Sequence, residues 1–130
     1  MRANNETKKP TWRVAPCFLV DDVAATATFY RDKLGFDYDG FGGDLQSFCM
    51  VYREGIVIML CQHAAGMRPN GSVDGPWDAY LWVGDADSLS AEFKARGVTL
   101  VIDVGDRGYG CRDFVVDDCN GYRLCFGHGI

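Results

Sequence analysis

Six cysteines, at positions 17, 49, 61, 111, 119 and 125, and two histidines, His63 and His128, are the side chains best suited to metal binding, thiol chemistry or nucleophilic catalysis. Their spacing forms no motif for any of these. There is no C-x-x-C pair and no Cys/His cluster at zinc-finger spacing, and four of the six cysteines sit inside or at the end of apolar strand-like runs. A thiol in such a run reads as a small buried hydrophobe. Each histidine falls just past the last strand of one half of the chain, away from any position where it could complete a Ser/His/Asp or Cys/His constellation. The glycine-rich segments Gly40-Phe41-Gly42-Gly43 and Gly108-Tyr109-Gly110 lack the strand-to-helix setting of a phosphate-binding loop, so they read as turns at cleft edges.

The elements that position these residues come from an internal repeat. FLVDDVAATATFYRDKLGF, Phe18 to Phe36, matches LWVGDADSLSAEFKARGV, Leu81 to Val98, and CMVYREGIVIMLC matches FVVDDCNGYRLCF. Val20 aligns with Val83, Asp22 with Asp85, Gly55 with Gly121, Met59 with Cys125 and Leu60 with Phe126. Each half reads as β-α-β-β-β. The first helix takes Asp21 or Asp22 as its N-cap, Val23, Ala27, Tyr30 and Leu34 as its apolar face and Gly35 as its stop. The second takes Asp85 as N-cap, Ala86, Leu89 and Phe93 as its face, and Gly97 as its stop. Glu54-Gly55 predicts a two-residue hairpin, and Asp117 to Gly121 a longer turn.

A chain of 130 residues, 48% hydrophobic and 24% charged, has the size and apolar content of one globular domain. The expected division is a polar tail over residues 1–11 and a single domain over 12–128, with modules at about 12–62 and 77–128 joined by a linker from His63 to Pro76. The start, MRANNETKKP, has no apolar run of the signal-peptide kind, and no stretch is long enough for a membrane-spanning helix, which gives a cytoplasmic location and no membrane partner as expectations. A net charge of −5 with scattered basic residues argues against nucleic acid, whose phosphates require clustered positive charge.

Neither module can bury a sheet face alone, so the pair is expected to form one curved mixed sheet, an α+β architecture with both helices on the convex face. Strand alternation puts Ile56, Ile58, Leu60, Ala79, Leu81, Val83, Tyr122, Leu124 and Phe126 on the helix side. A two-residue loop at Glu54-Gly55 pairs Tyr52 with Val57, Met50 with Met59 and Phe48 with Cys61 on the opposite face. Asp78, Tyr80, Trp82, Arg123 and Cys125 join that face from the second module. It is aromatic, methionine-containing and sparsely charged, suited to a flat or bulky organic ligand or, if covered, to a second core.

The combination FY-x-x-x-LGF, the Gly97 helix stop and the later R-D-F and D-x-x-G segments, spread from about Val14 to Phe126, resembles the vicinal-oxygen-chelate superfamily of glyoxalases, bleomycin-resistance proteins and extradiol dioxygenases. The resemblance implies paired β-α-β-β-β modules and a homodimer with clefts shared between subunits. It also implies four metal-ligand positions, which here carry Ala15, Met59, Asp78 and Cys125. Ala15 and Met59 cannot bind a hard cation, and Asp78 and Cys125 are mismatched donors, so no metal and no other cofactor is expected. Gly108-Tyr109-Gly110-Cys111-Arg112-Asp113-Phe114 is similar to the G-W-G-x-x-x-F segment of the bleomycin-resistance type, with Tyr109 in place of Trp.

Two functions follow as expectations. The first is a metal-independent small-molecule binding homodimer that sequesters an aromatic or cationic ligand, with Phe48, Met50, Met59, Tyr80, Trp82 and Tyr109 as walls, Asp78 for a cationic group, and Arg123 and Cys125 alongside. The second is a metalloenzyme of the superfamily, a lyase, isomerase or dioxygenase, with an atypical metal site drawing on Asp78 and Cys125. No catalytic residue is assigned. Whether the modules pair within one chain or are exchanged between chains stays open.

Overall fold

The computed structural model describes residues 13–42, 47–62 and 77–130. The tail expected over residues 1–11, His63 and the linker to Pro76 lie outside the described residues. The first module runs β1 (Cys17–Val20), α1 (Val23–Leu34), β2 (Asp37–Tyr38), β3 (Phe48–Arg53) and β4 (Ile56–Gln62). The second runs β5 (Ala79–Trp82), α2 (Ala86–Ala95), β6 (Ile102–Asp106), β7 (Cys111–Asp117) and β8 (Arg123–Gly129). Both are β-α-β-β-β, and their sheets have matching orders, β1-β4-β3-β2 and β5-β8-β7-β6.

Local chemistry fixes the helix ends as the sequence predicts. The Asp22 carboxylate accepts from the Ala25 amide at 3.0 Å, and Gly35, at φ 72°, closes α1 in the left-handed conformation that a side chain disfavours. In α2 the Asp85 carboxylate accepts from the amides of Asp87 and Ser88, and Gly97 follows at φ 86°. Val23, Ala27, Tyr30 and Leu34 are fully buried, as are Ala86 and Phe93. The β3–β4 register is also the predicted one, Tyr52 opposite Val57, Met50 opposite Met59 and Phe48 opposite Cys61.

One core serves both modules. It joins Phe18, Tyr30, Leu34, Ile58 and Leu60 of the first to Leu81, Phe93, Phe114, Leu124 and Phe126 of the second, so the modules pack on each other within the chain. Phe18 stacks on Tyr122 with ring centroids 4.1 Å apart, and Arg53 of β3 makes a two-pronged bond to Glu92 of α2, both arms at 2.8 Å. The helix-side residues expected from alternation all lie in this core or against it.

The α+β architecture of two β-α-β-β-β modules is the expected one, and its mixed sheet is built in two halves. Ladder hydrogen bonds run in two four-stranded sheets, with none joining β1 to β5 among the described residues. The Tyr122 hydroxyl explains this locally, because it accepts from the Leu19 amide at 2.9 Å and donates to the Leu19 carbonyl at 2.8 Å. Backbone groups on β1 that a neighbouring strand would use are satisfied by a side chain instead.

Candidate functional site

The second module builds an aromatic wall around a buried carboxylate. Asp113 on β7 is 1% exposed, and three side chains converge on it: the Tyr80 hydroxyl from β5 at 2.9 Å, the Tyr109 hydroxyl from the β6–β7 turn at 2.5 Å, and Arg107 Nε at 2.8 Å. Arg107 also donates to the backbone carbonyls of Asp103 and Asp113. Burial would raise the Asp113 carboxyl, but the hydrogen bonds from Tyr109, Arg107, Tyr80 and Cys125 together outweigh it and hold the group below its ordinary value.

A glycine makes room for this arrangement. Asp113 stands opposite Gly127 on β8, where a Cβ would run into the Tyr80 hydroxyl and come within 2.6 Å of the Asp113 Cβ.

With their hydroxyls fixed, the two tyrosine rings are held among tryptophans. Trp77 packs edge-on against Tyr80 at 5.3 Å and lies 6.3 Å from Tyr109, and Tyr80 lies 4.6 Å from Trp82. The outer members remain open, Trp82 at 65% and Tyr109 at 56% exposure. Such rings offer a large adhesive surface at little conformational cost, since their orientation is set before anything binds. Their phenols keep their protons: burial first, then hydrogen bonding, raises the pKa of both Tyr80 and Tyr109.

The remaining predicted residues of this module occupy quieter places. Asp78 accepts from the Arg123 amide at 2.8 Å, and the Arg123 guanidinium pairs with Asp117 at 2.9 and 3.1 Å. Cys125 is fully buried, and burial, with Asp113 beside it, pushes its thiol up to about 12. It contributes to the floor beneath the wall and not to a reactive surface.

In the first module Phe48 and Met50 do come together. With Arg13, Asp39, Phe41 and Tyr52 they line a groove of about 570 Å³ in which the Tyr52 hydroxyl donates to Asp39 at 2.7 Å. The predicted walls therefore belong to two surfaces of the chain, one on each module. A larger cavity of about 760 Å³ lies at the seam between modules, where Ile56 and Val57 meet Tyr80, Trp82, Leu89 and Phe93, bordered by the Arg53–Glu92 pair. No feature of the sequence pointed to this seam, because its lining is drawn from both modules, from residues far apart in the chain.

Trp77, Phe41, Arg107 and Asp113 were missed from sequence. Strand alternation from Cys125 through the β7–β8 turn would have placed Asp113 on the same face, and Gly127 opposite it was the available signal. His128 lies within β8 and not past its end as expected, and has a structural role: its Nδ1 accepts from the Ala86 amide at 3.0 Å, at the first turn of α2.

The four metal-ligand positions can be tested against the register. Cys17 pairs with Met59 and Tyr80 with Cys125, so Ala15 corresponds to Asp78 and Met59 to Cys125, as the repeat predicts. This set does not fit a divalent ion. It offers a methyl, a thioether, a carboxylate bound to a backbone amide, and a fully buried thiol, and among the described residues no group of three His, Cys, Asp or Glu side chains is placed to hold a metal. None of the helices among the described residues is long and apolar enough to cross a membrane.

Comparison with known proteins agrees with this architecture. The family model described as Glyoxalase/Bleomycin resistance protein/Dioxygenase superfamily matches residues 13–126. Among solved structures, a glyoxalase-related enzyme from Clostridium phytofermentans superposes with a TM-score of 0.77 at 15% identity, covering 95% of this chain and 99% of its own. A glyoxalase/bleomycin resistance protein/dioxygenase from Alicyclobacillus acidocaldarius gives 0.76 at 18% identity, covering 95% and 96%. TioX from Micromonospora sp. ML1 gives 0.69 at 16% identity, covering 92% and 97%. At these identities the likeness is one of fold. Among curated proteins, none matches the chain significantly.

Proposed function

Because this chain belongs to the Glyoxalase/Bleomycin resistance protein/Dioxygenase superfamily, we propose that it uses the superfamily fold to hold a flat organic molecule without transforming it. The observation that carries this reading is the wall formed by Trp77, Tyr80, Trp82 and Tyr109, whose inner hydroxyls are tied to a buried Asp113 while its outer rings face solvent. An exposed aromatic surface with fixed geometry is suited to stacking on a planar ligand. A net charge of −5 favours a cationic one.

The protein acts as a homodimer in this reading. Met50, Trp82 and Ile102 are large apolar strand residues left at least 45% exposed, and a second copy would bring the groove of one module against the wall of another. The ligand would then sit in a cleft shared between subunits, with Phe48 and Met50 from one side and Tyr80, Trp82 and Tyr109 from the other.

The metalloenzyme reading has less support. Its two donors, Asp78 and Cys125, are a carboxylate engaged by the Arg123 amide and a thiol with no exposure, and neither Tyr80 nor Tyr109 is poised to accept a proton at neutral pH.

The test is tryptophan fluorescence of chelator-treated protein titrated with planar cations, ethidium and bleomycin among them, beside light scattering to count subunits. Saturable quenching by a dimer, with the ligand recovered unchanged, supports the proposal. Turnover of a ligand that requires added metal would overturn it.

A further inference from the structure

We propose that Cys17 and Cys61 are a redox-active dithiol that closes to a cross-strand disulfide on exposure to a hydroperoxide. Their Sγ atoms are 3.1 Å apart, on the adjacent parallel strands β1 and β4. The register pairs Cys17 with Met59 and Leu19 with Cys61, so the two cysteines are diagonal neighbours whose side chains share the face opposite the core. A disulfide bond is about 2.05 Å long, so closure needs a movement of about 1 Å. β1 sits at the edge of its sheet with its backbone held by Tyr122, so the movement comes from side-chain rotation at Cys17 and Cys61.

Exposure sets the order of events. Cys17 is exposed and Cys61 half-buried, so peroxide meets Cys17 first. Burial, and then the contact with Cys17, pushes the Cys61 thiol up to about 11, which leaves its proton in place at neutral pH. The Cys17 thiolate attacks one peroxide oxygen, the O–O bond breaks, and the departing alkoxide or hydroxide takes a proton, leaving a sulfenic acid on Cys17. The Cys61 sulfur then attacks the Cys17 sulfur, its proton leaves with the sulfenic oxygen as water, and the S–S bond forms. Two thiols lose two electrons and the hydroperoxide gains them.

The other cysteines lack this arrangement. Cys49, Cys111 and Cys125 are buried, and Cys119, though exposed, has its thiol directed at the Thr26 hydroxyl at 3.9 Å. A sulfenic acid on Cys119 would have no such neighbour to resolve it.

The test treats the full chain with stoichiometric hydrogen peroxide and follows thiol titration, intact mass and peptide mapping. The expected result is loss of two thiols and two hydrogens, a peptide joining Cys17 to Cys61, and full reversal by dithiothreitol. In Cys61→Ser the sulfenic acid on Cys17 should persist and be trapped by dimedone, and in Cys17→Ser the fast loss of thiols should slow by ~10-fold or more. Cys17 is on the surface, so its variant retains the fold, checked by its melting curve. Mapping that finds Cys17 and Cys61 still alkylatable while Cys119 is oxidised, or either joined instead to another cysteine or another subunit, would overturn the proposal.

Discussion

The Tyr30 hydroxyl donates to Asp118 Oδ2 at 2.7 Å, and this buried bond ties α1 of the first module to the β7–β8 turn of the second. The other oxygen of Asp118 accepts from the amides of Asn120 and Tyr122, so one carboxylate shapes the turn and anchors the neighbouring module. Tyr30→Phe removes the link without changing packing volume. The expected loss is about 1.5 to 3 kcal/mol, the range for hydrogen bonds to charged groups, read as a lower urea midpoint with an unchanged slope.

The two buried aspartates should act oppositely on acid stability. Asp113 is held below its ordinary value, so the stability it contributes is present above the unfolded carboxyl range and is lost as the pH falls through its folded value. Asp118 is raised, chiefly by burial, so its contribution is largest in acid and declines as the pH rises through its folded value. Unfolding free energy measured from pH 2 to pH 7 should lose part of its acid slope in Asp113→Asn. Asp118→Asn should make that slope steeper. Identical slopes in both variants and the parent would contradict these assignments.

Gly127 is expected to tolerate no side chain. A methyl group there meets the Tyr80 hydroxyl, the Asp113 Cβ and the Arg112 carbonyl oxygen, two of which are held in the Asp113 network. Gly127→Ala should cost about 1 to 3 kcal/mol through overpacking, and it should blue-shift or red-shift tryptophan emission as the wall moves. Gly129→Ala on the same strand has open space around it and serves as the control.

Trp82 separates binding from folding. At 65% exposure, its replacement by Ala should change stability by no more than about 0.5 kcal/mol. The same change should weaken binding of a planar cation on the order of tenfold or more, because an aromatic anchor is lost. Calorimetric melting beside a fluorescence or calorimetric titration distinguishes the two effects.

Much of the fold was legible because it is written twice. The aligned halves predicted both helix caps, the β3–β4 register and the correspondence of Met59 with Cys125, all of which depend on local periodicity and short turns. The seam between modules was not legible. It depends on Tyr122 reaching across to the backbone of Leu19, more than a hundred positions away in sequence, and no periodicity encodes that. The site was half legible: alternation placed Tyr80, Trp82 and Cys125 on one face, but the depth of each residue is set by three-dimensional packing. That is why Cys125 lies beneath the wall and why Asp113, on the same face by alternation, is buried at its centre.

The central claim is that the wall around Asp113 binds planar cations without a metal. It is tested most directly by isothermal titration of chelator-treated protein, first with Ni²⁺, Mn²⁺, Fe²⁺ and Zn²⁺ and then with ethidium, in the parent and in Trp82→Ala. The account predicts no stoichiometric metal uptake, saturable ethidium binding by the parent and its loss in the variant. Tight metal binding, or ethidium binding that is equal in both proteins, would contradict it.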